Sequence, residues 1–258
     1  MIAVVLVGCG AAARTTAARP TEPSHQTYHA APLGVSTRAH SRISCATAGS
    51  LAPSGGRSYA VTVRTVAVVR AQPGRGRVLA RYPKIDLNGY PTTLGVFGAR
   101  VSARCAVKWY RVELPAFPNG RTGWVAAGSV RAFAVRSRIV VDLSTRRLVA
   151  YRAGKLVFRA RVTVGAARTP TPTGRYFVNE RFVLNDPNGP FGVAALGISG
   201  HSDVLRNWPQ GGPIALHGTD EPGAIGSAVS HGCIRLANND MRTLFSLTPA
   251  GTPVDIRT

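Results

Sequence analysis

Ile139-Val140-Val141-Asp142-Leu143-Ser144-Thr145-Arg146-Arg147-Leu148-Val149-Ala150-Tyr151 is the stretch on which the fold turns. Two short runs rich in Val, Ile and Leu flank a polar turn, Ser144-Thr145-Arg146-Arg147. β-branched residues at that density pack well on a pleated surface and poorly on a helix. Gly154-Lys155 then leads into Leu156-Val157-Phe158-Arg159-Ala160-Arg161-Val162-Thr163-Val164, so the segment predicts a β-meander with one buried face. Further strands are expected at residues 175–178, at Ile214-Ala215-Leu216-His217 and at Pro253-Val254-Asp255-Ile256. Met241, Leu244 and Phe245 stand at helical spacing after Asn238 or Asn239 as a cap, and Thr248-Pro249-Ala250-Gly251 stops that helix. Residues 135–258 therefore predict an all-β sandwich carrying one short helix.

Upstream, residues 59–134 also alternate short strands with turns. Ala60-Val61-Thr62-Val63, Val66-Ala67-Val68-Val69 and Arg77-Val78-Leu79-Ala80 are separated by polar or Gly/Pro punctuation such as Gln72-Pro73-Gly74. Lys108-Trp109-Tyr110-Arg111-Val112-Glu113-Leu114, a turn at Pro118-Asn119-Gly120 and Gly123-Trp124-Val125 follow. That order resembles bacterial SH3-like domains, small β-barrels taken to bind wall components. Trp109 and Trp124 are expected in its core, because aromatic side chains dominate small β cores. Residues 10–58 hold Ala, Thr, Ser, Pro, Gly and Arg without apolar periodicity and predict a disordered tether.

The chain of 258 residues carries a net charge of +21, and of its 32 basic residues only Lys84, Lys108 and Lys155 are lysines. Residues 138–258 hold 14 basic and 8 acidic residues, so most of the excess lies in the first half. Such a half adheres to anionic polymers or an anionic membrane surface. Nucleic acid is not the expected partner, since no zinc-finger spacing, RNA-recognition signature or basic run interleaved with aromatics is present.

Four cysteines stand at 9, 45, 105 and 233 without a Cys-x-x-Cys pair, which argues against structural zinc. Residues 1–9 end in Leu6-Val7-Gly8-Cys9, which resembles a truncated lipoprotein signal with Cys9 as the lipidated residue. An extracytoplasmic, cell-envelope location follows as the expectation. No later stretch approaches the roughly 20 apolar residues of a transmembrane helix. In an exported chain Cys45 could pair with Cys105; two unpaired thiols are the alternative.

The chemistry lies at Ser230-His231-Gly232-Cys233-Ile234-Arg235. Free cysteine, with a pKa near 8.5, is only a few per cent thiolate at neutral pH, so a base must take its proton or hold it as an ion pair. His217 arrives at the end of a predicted strand, and a Gly-, Pro- and Ser-rich loop over residues 218–229 returns to Ser230. Gly232 leaves the backbone open, so successive N–H groups can point at an oxyanion. Zinc held by His217, His231, Cys233 and His201 is disfavoured by the tight His231-x-Cys233 spacing and by the lack of a glutamate placed as general base. His201 itself is expected to be a surface histidine.

Thr169-Pro170-Thr171-Pro172-Thr173-Gly174, Gly189-Pro190-Phe191-Gly192, Ile198-Ser199-Gly200, His217-Gly218-Thr219 and the Ser230–Arg235 run together resemble the L,D-transpeptidase (YkuD-like) catalytic domain. The resemblance implies a cysteine acyltransferase that acts on peptidoglycan stem peptides without a cofactor or metal and is inhibited by carbapenem-type β-lactams. It implies Cys233 as nucleophile and His217 as base, with the Gly218 carbonyl orienting the imidazole and the N–H groups of Gly232 and Cys233 contributing an oxyanion hole. Ser230 and His231 would shape the loop and the substrate contacts, although a purely structural His231 is an equal reading. Arg235 would meet a substrate carboxylate, or else pair with Asp240 or Asp220, and Thr219 is a further candidate for substrate contact.

Overall fold

The computed structural model describes residues 56–208 and 211–258, with the backbone alone of His29 and Ala30. The expected lipidation site Cys9, Cys45 and most of the tether lie outside the described residues. Within the span expected to be disordered, His29–Ala30 form a two-residue strand and Ser58 already opens the first strand of the unit that follows. Cys105 is disulfide-bonded. No described helix is long and apolar enough to cross a membrane.

The first unit is a seven-stranded antiparallel sheet. Its strands are β2 (Ser58–Val63), β3 (Val66–Gln72), β4 (Arg75–Pro83), β5 (Thr93–Val101), β6 (Val107–Glu113), β7 (Thr122–Ala126) and β8 (Val130–Val135). They lie side by side in the order β4-β3-β7-β6-β5-β2-β8. Val61, Val69, Leu94, Val112, Leu114 and Val125 form its core. Strict alternation sets which side chains enter that core. On β6, Tyr110 and Val112 are buried while Trp109 and Arg111 point the other way, and on β7 Val125 is buried while Trp124 is not. The tryptophans are therefore half-buried on the outer face, which corrects their expected place in the core. Strand β5 gave no sequence signal, because Gly95 and Gly98 interrupt its apolar run.

The second unit begins after the single residue Arg136. It contains β9 (Ser137–Asp142), β10 (Arg147–Arg152), β11 (Lys155–Arg161), β12 (Val164–Gly165), β13 (Gly174–Val183) and β14 (Ala194–His201). There follow β15 (Pro213–His217), β16 (Ala228–Ser230), β17 (Ile234–Arg235), α1 (Asn238–Leu247) and β18 (Pro253–Arg257). The main sheet runs β11-β10-β9-β18-β13-β14-β15-β17, and a two-residue strand β1 (His29–Ala30) adds to β13. Strand β13 belongs to two layers: Gly174 to Phe177 pair with β18, and Val178 to Val183 pair with β14. A strand that changes partners midway is how one continuous sheet folds over on itself into a sandwich. Ile139, Val141, Leu148, Leu196, Ile198, Leu216, Ile234 and Leu236 fill the space between the layers. Met241 and Leu244 bring α1 onto that core.

Helix α1 departs from expectation at its start. The residue before it is Ala237, which makes no side-chain cap, and Asn238 is already helical. The Asn238 side chain serves elsewhere, as described below.

The two units share a seam. Phe177 leaves the sandwich and completes the core of the first unit, where it is 1% exposed. Gly95 makes room for it, since a Cβ there would stand 2.8 Å from Phe177 Cδ1. Ser199 Oγ donates to Glu113 Oε1 at 2.9 Å, and Asn88 Nδ2 donates to Glu180 Oε2 at 2.9 Å. Asn119 binds the backbone of His201 twice, donating to its carbonyl and accepting from its N–H, both at 2.8 Å. His201 is thus a half-buried seam residue, not the surface histidine the sequence suggested.

Candidate active site

Strands β15 and β17 run parallel, with Leu216 opposite Ile234 and His217 opposite Arg235. Parallel neighbours require a crossover of a dozen residues or more. Here that crossover is the segment from Gly218 to Cys233, which contains a 3-10 turn at Pro222–Ala224 and strand β16. Ile214, Leu216, Ile234 and Leu236 face the core. Alternation then puts Ala215, His217, Cys233 and Arg235 together on the opposite face. Cys233 stands level with Ala215, and His217 stands two residues further along the neighbouring strand. The backbone register thus brings the thiol and the imidazole to one face.

His217 is 3% exposed, and its Nδ1 lies 2.6 Å from the Gly218 carbonyl oxygen. A carbonyl only accepts, so the hydrogen sits on Nδ1 and Nε2 is left with its lone pair. Burial lowers the pKa of this imidazole to about 4; the Gly218 carbonyl acts against that shift, the Arg235 charge adds to it and the Asp220 charge opposes it. The ring of Phe191 covers His217 at a centroid distance of 4.8 Å.

Cys233 is a free thiol at the edge of solvent. Burial of the sulfur raises its pKa, partly offset by the Ala215 N–H and the Arg235 charge. Burial therefore favours the uncharged form of both groups.

Ser230 shapes the turn that carries the thiol. Its Oγ donates to the Cys233 carbonyl at 2.6 Å and accepts from Gly232 N–H at 3.1 Å. Gly232 has a φ of +116°, open to glycine alone, and a Cβ there would stand 3.0 Å from Ile214 Cδ1. Its N–H is spent on Ser230, which corrects the expectation that it would point at an oxyanion. Two threonines of the Thr169-to-Gly174 run hold the turn from outside. Thr169 Oγ1 donates to the Ser230 carbonyl at 2.9 Å, and Thr171 Oγ1 donates to the Gly232 carbonyl at 2.8 Å while accepting from Gly165 N–H.

Asn238 performs the equivalent task for His217. Its Oδ1 accepts from Thr219 N–H at 3.1 Å, and its Nδ2 donates to the Pro187 carbonyl at 3.2 Å. The amide crowds the positions where Gly192 and Gly218 would each carry a Cβ, which explains both glycines. One side chain thus ties the loop bearing Phe191 to the segment bearing the Gly218 carbonyl.

Arg235 donates through Nη1 to Glu221 Oε2 at 2.6 Å, so its protein partner is Glu221 and neither Asp240 nor Asp220. Thr219 is buried, and its Oγ1 accepts from Glu221 N–H at 3.0 Å. His231 is exposed and lies against Trp208, with centroids 5.7 Å apart. Sequence reasoning missed Phe191, Thr169, Thr171 and Asn238 as site residues. The first three lie inside quoted motifs, whereas Asn238 was read only as a candidate helix cap.

Residues 136–256 match the model of the YkuD L,D-transpeptidase catalytic domain. The protein named L,D-transpeptidase YkuD in Bacillus licheniformis is 36% identical over 150 residues, covering 55% of this chain and 83% of that protein. Its namesake in Bacillus subtilis is 31% identical over 149 residues, with the same coverage of 55% and 83%. Among solved structures, an Enterococcus faecium L,D-transpeptidase aligns at 22% identity and a TM-score of 0.37, over 47% of this chain and 49% of that one. An L,D-transpeptidase solved in complex with imipenem aligns at 17% identity and a TM-score of 0.41, over 64% and 90% of the two chains. The chain belongs to the L,D-transpeptidase family.

Proposed function

We propose that the chain is a cysteine-dependent L,D-transpeptidase that cross-links diamino acids of peptidoglycan stem peptides through a thioester. The observation that carries this reading is the 2.6 Å contact between His217 Nδ1 and the Gly218 carbonyl, which leaves Nε2 unprotonated on the face shared with Cys233. Because burial favours the uncharged form of both groups, proton transfer accompanies attack. The Cys233 sulfur bonds to the carbonyl carbon that follows the L-centre of the diamino acid, and its proton passes to His217 Nε2. The C–N bond to the terminal D-alanine then breaks, and the imidazolium returns that proton to the leaving amine. In the second step an amine of another stem attacks the thioester, loses its proton to His217 and regenerates the thiol.

With Gly232 N–H engaged, the Cys233 N–H remains as a backbone donor for the oxyanion. Arg235 offers its guanidinium to a substrate carboxylate, exchanging the exposed Glu221 for the ligand. Imipenem is the ligand named for one structural neighbour. A carbapenem should acylate Cys233 here, the reactive thiol of this reading. The first unit is read as an SH3-like wall-binding module and the whole protein as residing in the cell envelope, with Cys9 as a lipid anchor.

Purified protein incubated with disaccharide tetrapeptide should yield cross-linked dimer and free D-alanine by mass spectrometry, and Cys233→Ala should yield neither. Disaccharide tripeptide without dimer would identify water as the acceptor and the activity as an L,D-carboxypeptidase. If wild type and variant are equally inert while both bind sacculi, the enzyme reading falls and a non-catalytic wall-binding protein takes its place.

A further inference from the structure

The half-buried tryptophans of the first unit are set in a lattice of arginines. Arg70 on β3 stands directly opposite Trp124 on β7, which stands opposite Arg111 on β6. One step along, Trp109 on β6 stands opposite Arg100 on β5. The Arg100 guanidinium also lies over the Trp124 ring, 5.7 Å from its centroid. Three guanidiniums and two indoles therefore alternate over a face about 14 Å across, at about 4.8 Å per strand.

Local bonds occupy only part of these guanidiniums. Arg70 Nη1 donates to the Gly76 carbonyl at 3.1 Å, and Arg111 Nε donates to Thr122 Oγ1 at 3.0 Å. Among the described residues no carboxylate forms an ion pair with them. Residues 57–136 hold 14 basic residues and only two acidic ones, Asp86 and Glu113. Both acids are turned to the seam, Glu113 toward Ser199 and Asp86 toward Glu180. Clustered like charge without counter-charge costs stability, so packing alone gives no reason for this face.

We propose that this face binds a phosphodiester-linked glycan strand, its sugar rings stacked on Trp109 and Trp124 and its phosphates held by Arg70, Arg100 and Arg111. Guanidiniums bind phosphate oxygens bidentately, and indoles present flat apolar area at little entropic cost. A polymer that alternates ring and charge matches a surface that does the same. The indoles are half-buried between charged neighbours, which suits a polymer lying along the face better than a bilayer that must be entered. The proposal deepens the reading of the first unit as a wall-binding module and is independent of the chemistry at Cys233.

The test titrates the whole chain with glucosylated poly(ribitol phosphate), neutral dextran, a single-stranded oligodeoxynucleotide and phosphatidylglycerol vesicles, following tryptophan fluorescence. The phosphodiester glycan should bind most tightly and dextran not at all. Arg100→Gln with Arg111→Gln should weaken glycan binding by about tenfold or more, equivalent to about 1.4 kcal/mol, with a thermal midpoint no lower than that of wild type. Trp124→Phe should retain most binding, because the ring is kept, while Trp124→Ala should lose it. The proposal is overturned if wild type ignores the glycan, if the oligonucleotide or the vesicles bind as tightly, or if the arginine double variant binds like wild type. Carbapenem acylation of Cys233, measured on the same samples, reports the enzyme separately.

Discussion

His217 is fixed by one carbonyl and buried by its neighbours, and both facts bear on pH. Its pKa, lowered to about 4 by burial, means that Nε2 stays available as a base down to mildly acid solution. The acid limb of the rate of carbapenem acylation should therefore fall near pH 4 and not near the ordinary histidine value of about 6.5. A limb near 6.5 would mean that water reaches the imidazole. The same shift affects folding: the unfolded chain takes up this proton below about 6.5, whereas the folded one resists until about 4. The stability held by neutral His217 is complete above the first value and lost as pH falls through the second. Asn238 is a positioning residue for this base. Asn238→Ala should slow acylation of Cys233 by about 10- to 100-fold through misplacement of the Gly218 carbonyl, while the acid limb shifts toward 6.5 as Phe191 loosens. Asn238→Asp, which keeps one acceptor for Thr219 N–H, should recover part of the rate.

Strands and loops were unevenly legible in the sequence. The meander of β9, β10 and β11 was plain because Val, Ile and Leu alternate around a polar turn. Strands β5 and β14 were not, because glycines that admit a neighbouring ring replace the β-branched residues that mark a strand. Gly95 admits Phe177, and Gly200 admits Tyr176, which would stand 2.8 Å from a Cβ. Such glycines are decided by a partner far along the chain, which periodicity cannot register. Cys233 and His217 could be found because their motifs are contiguous, but the direction of a side chain on a sheet depends on which face is covered. The tryptophans were misplaced for that reason. Gly95→Val tests the account of β5: the clash with Phe177 should cost about 1–3 kcal/mol, visible as a lower midpoint of urea unfolding. Cys233 acylation should persist in the folded fraction, since β15 and β17 lie away from that contact.

Across the whole molecule, the seam holds two carboxyl groups that burial keeps protonated well above their usual range. Glu113 is raised to about 7 by burial, with the Ser199 hydroxyl pulling the other way. Glu180 is raised to about 7 by burial and by the Asp86 carboxylate, with Asn88 opposing. A raised carboxyl pKa contributes stability that is complete below the unfolded value of about 4.5 and is lost as pH rises through about 7. The thermal midpoint should accordingly decline between pH 5 and pH 8, the two seam carboxyls outweighing the opposite trend of the single His217 below about 6.5, and Glu113→Gln, which cannot ionise, should reduce that decline. A profile that rises over the same range would show that the seam admits water. Phe177 gives this coupling a mechanical counterpart. One strand spans both layers of the sandwich and lends a ring to the neighbouring core, so the two units are keyed together like a bolt through a hasp. A pull on the first unit would load the middle of β13, and the pair should give way in a single rupture instead of two.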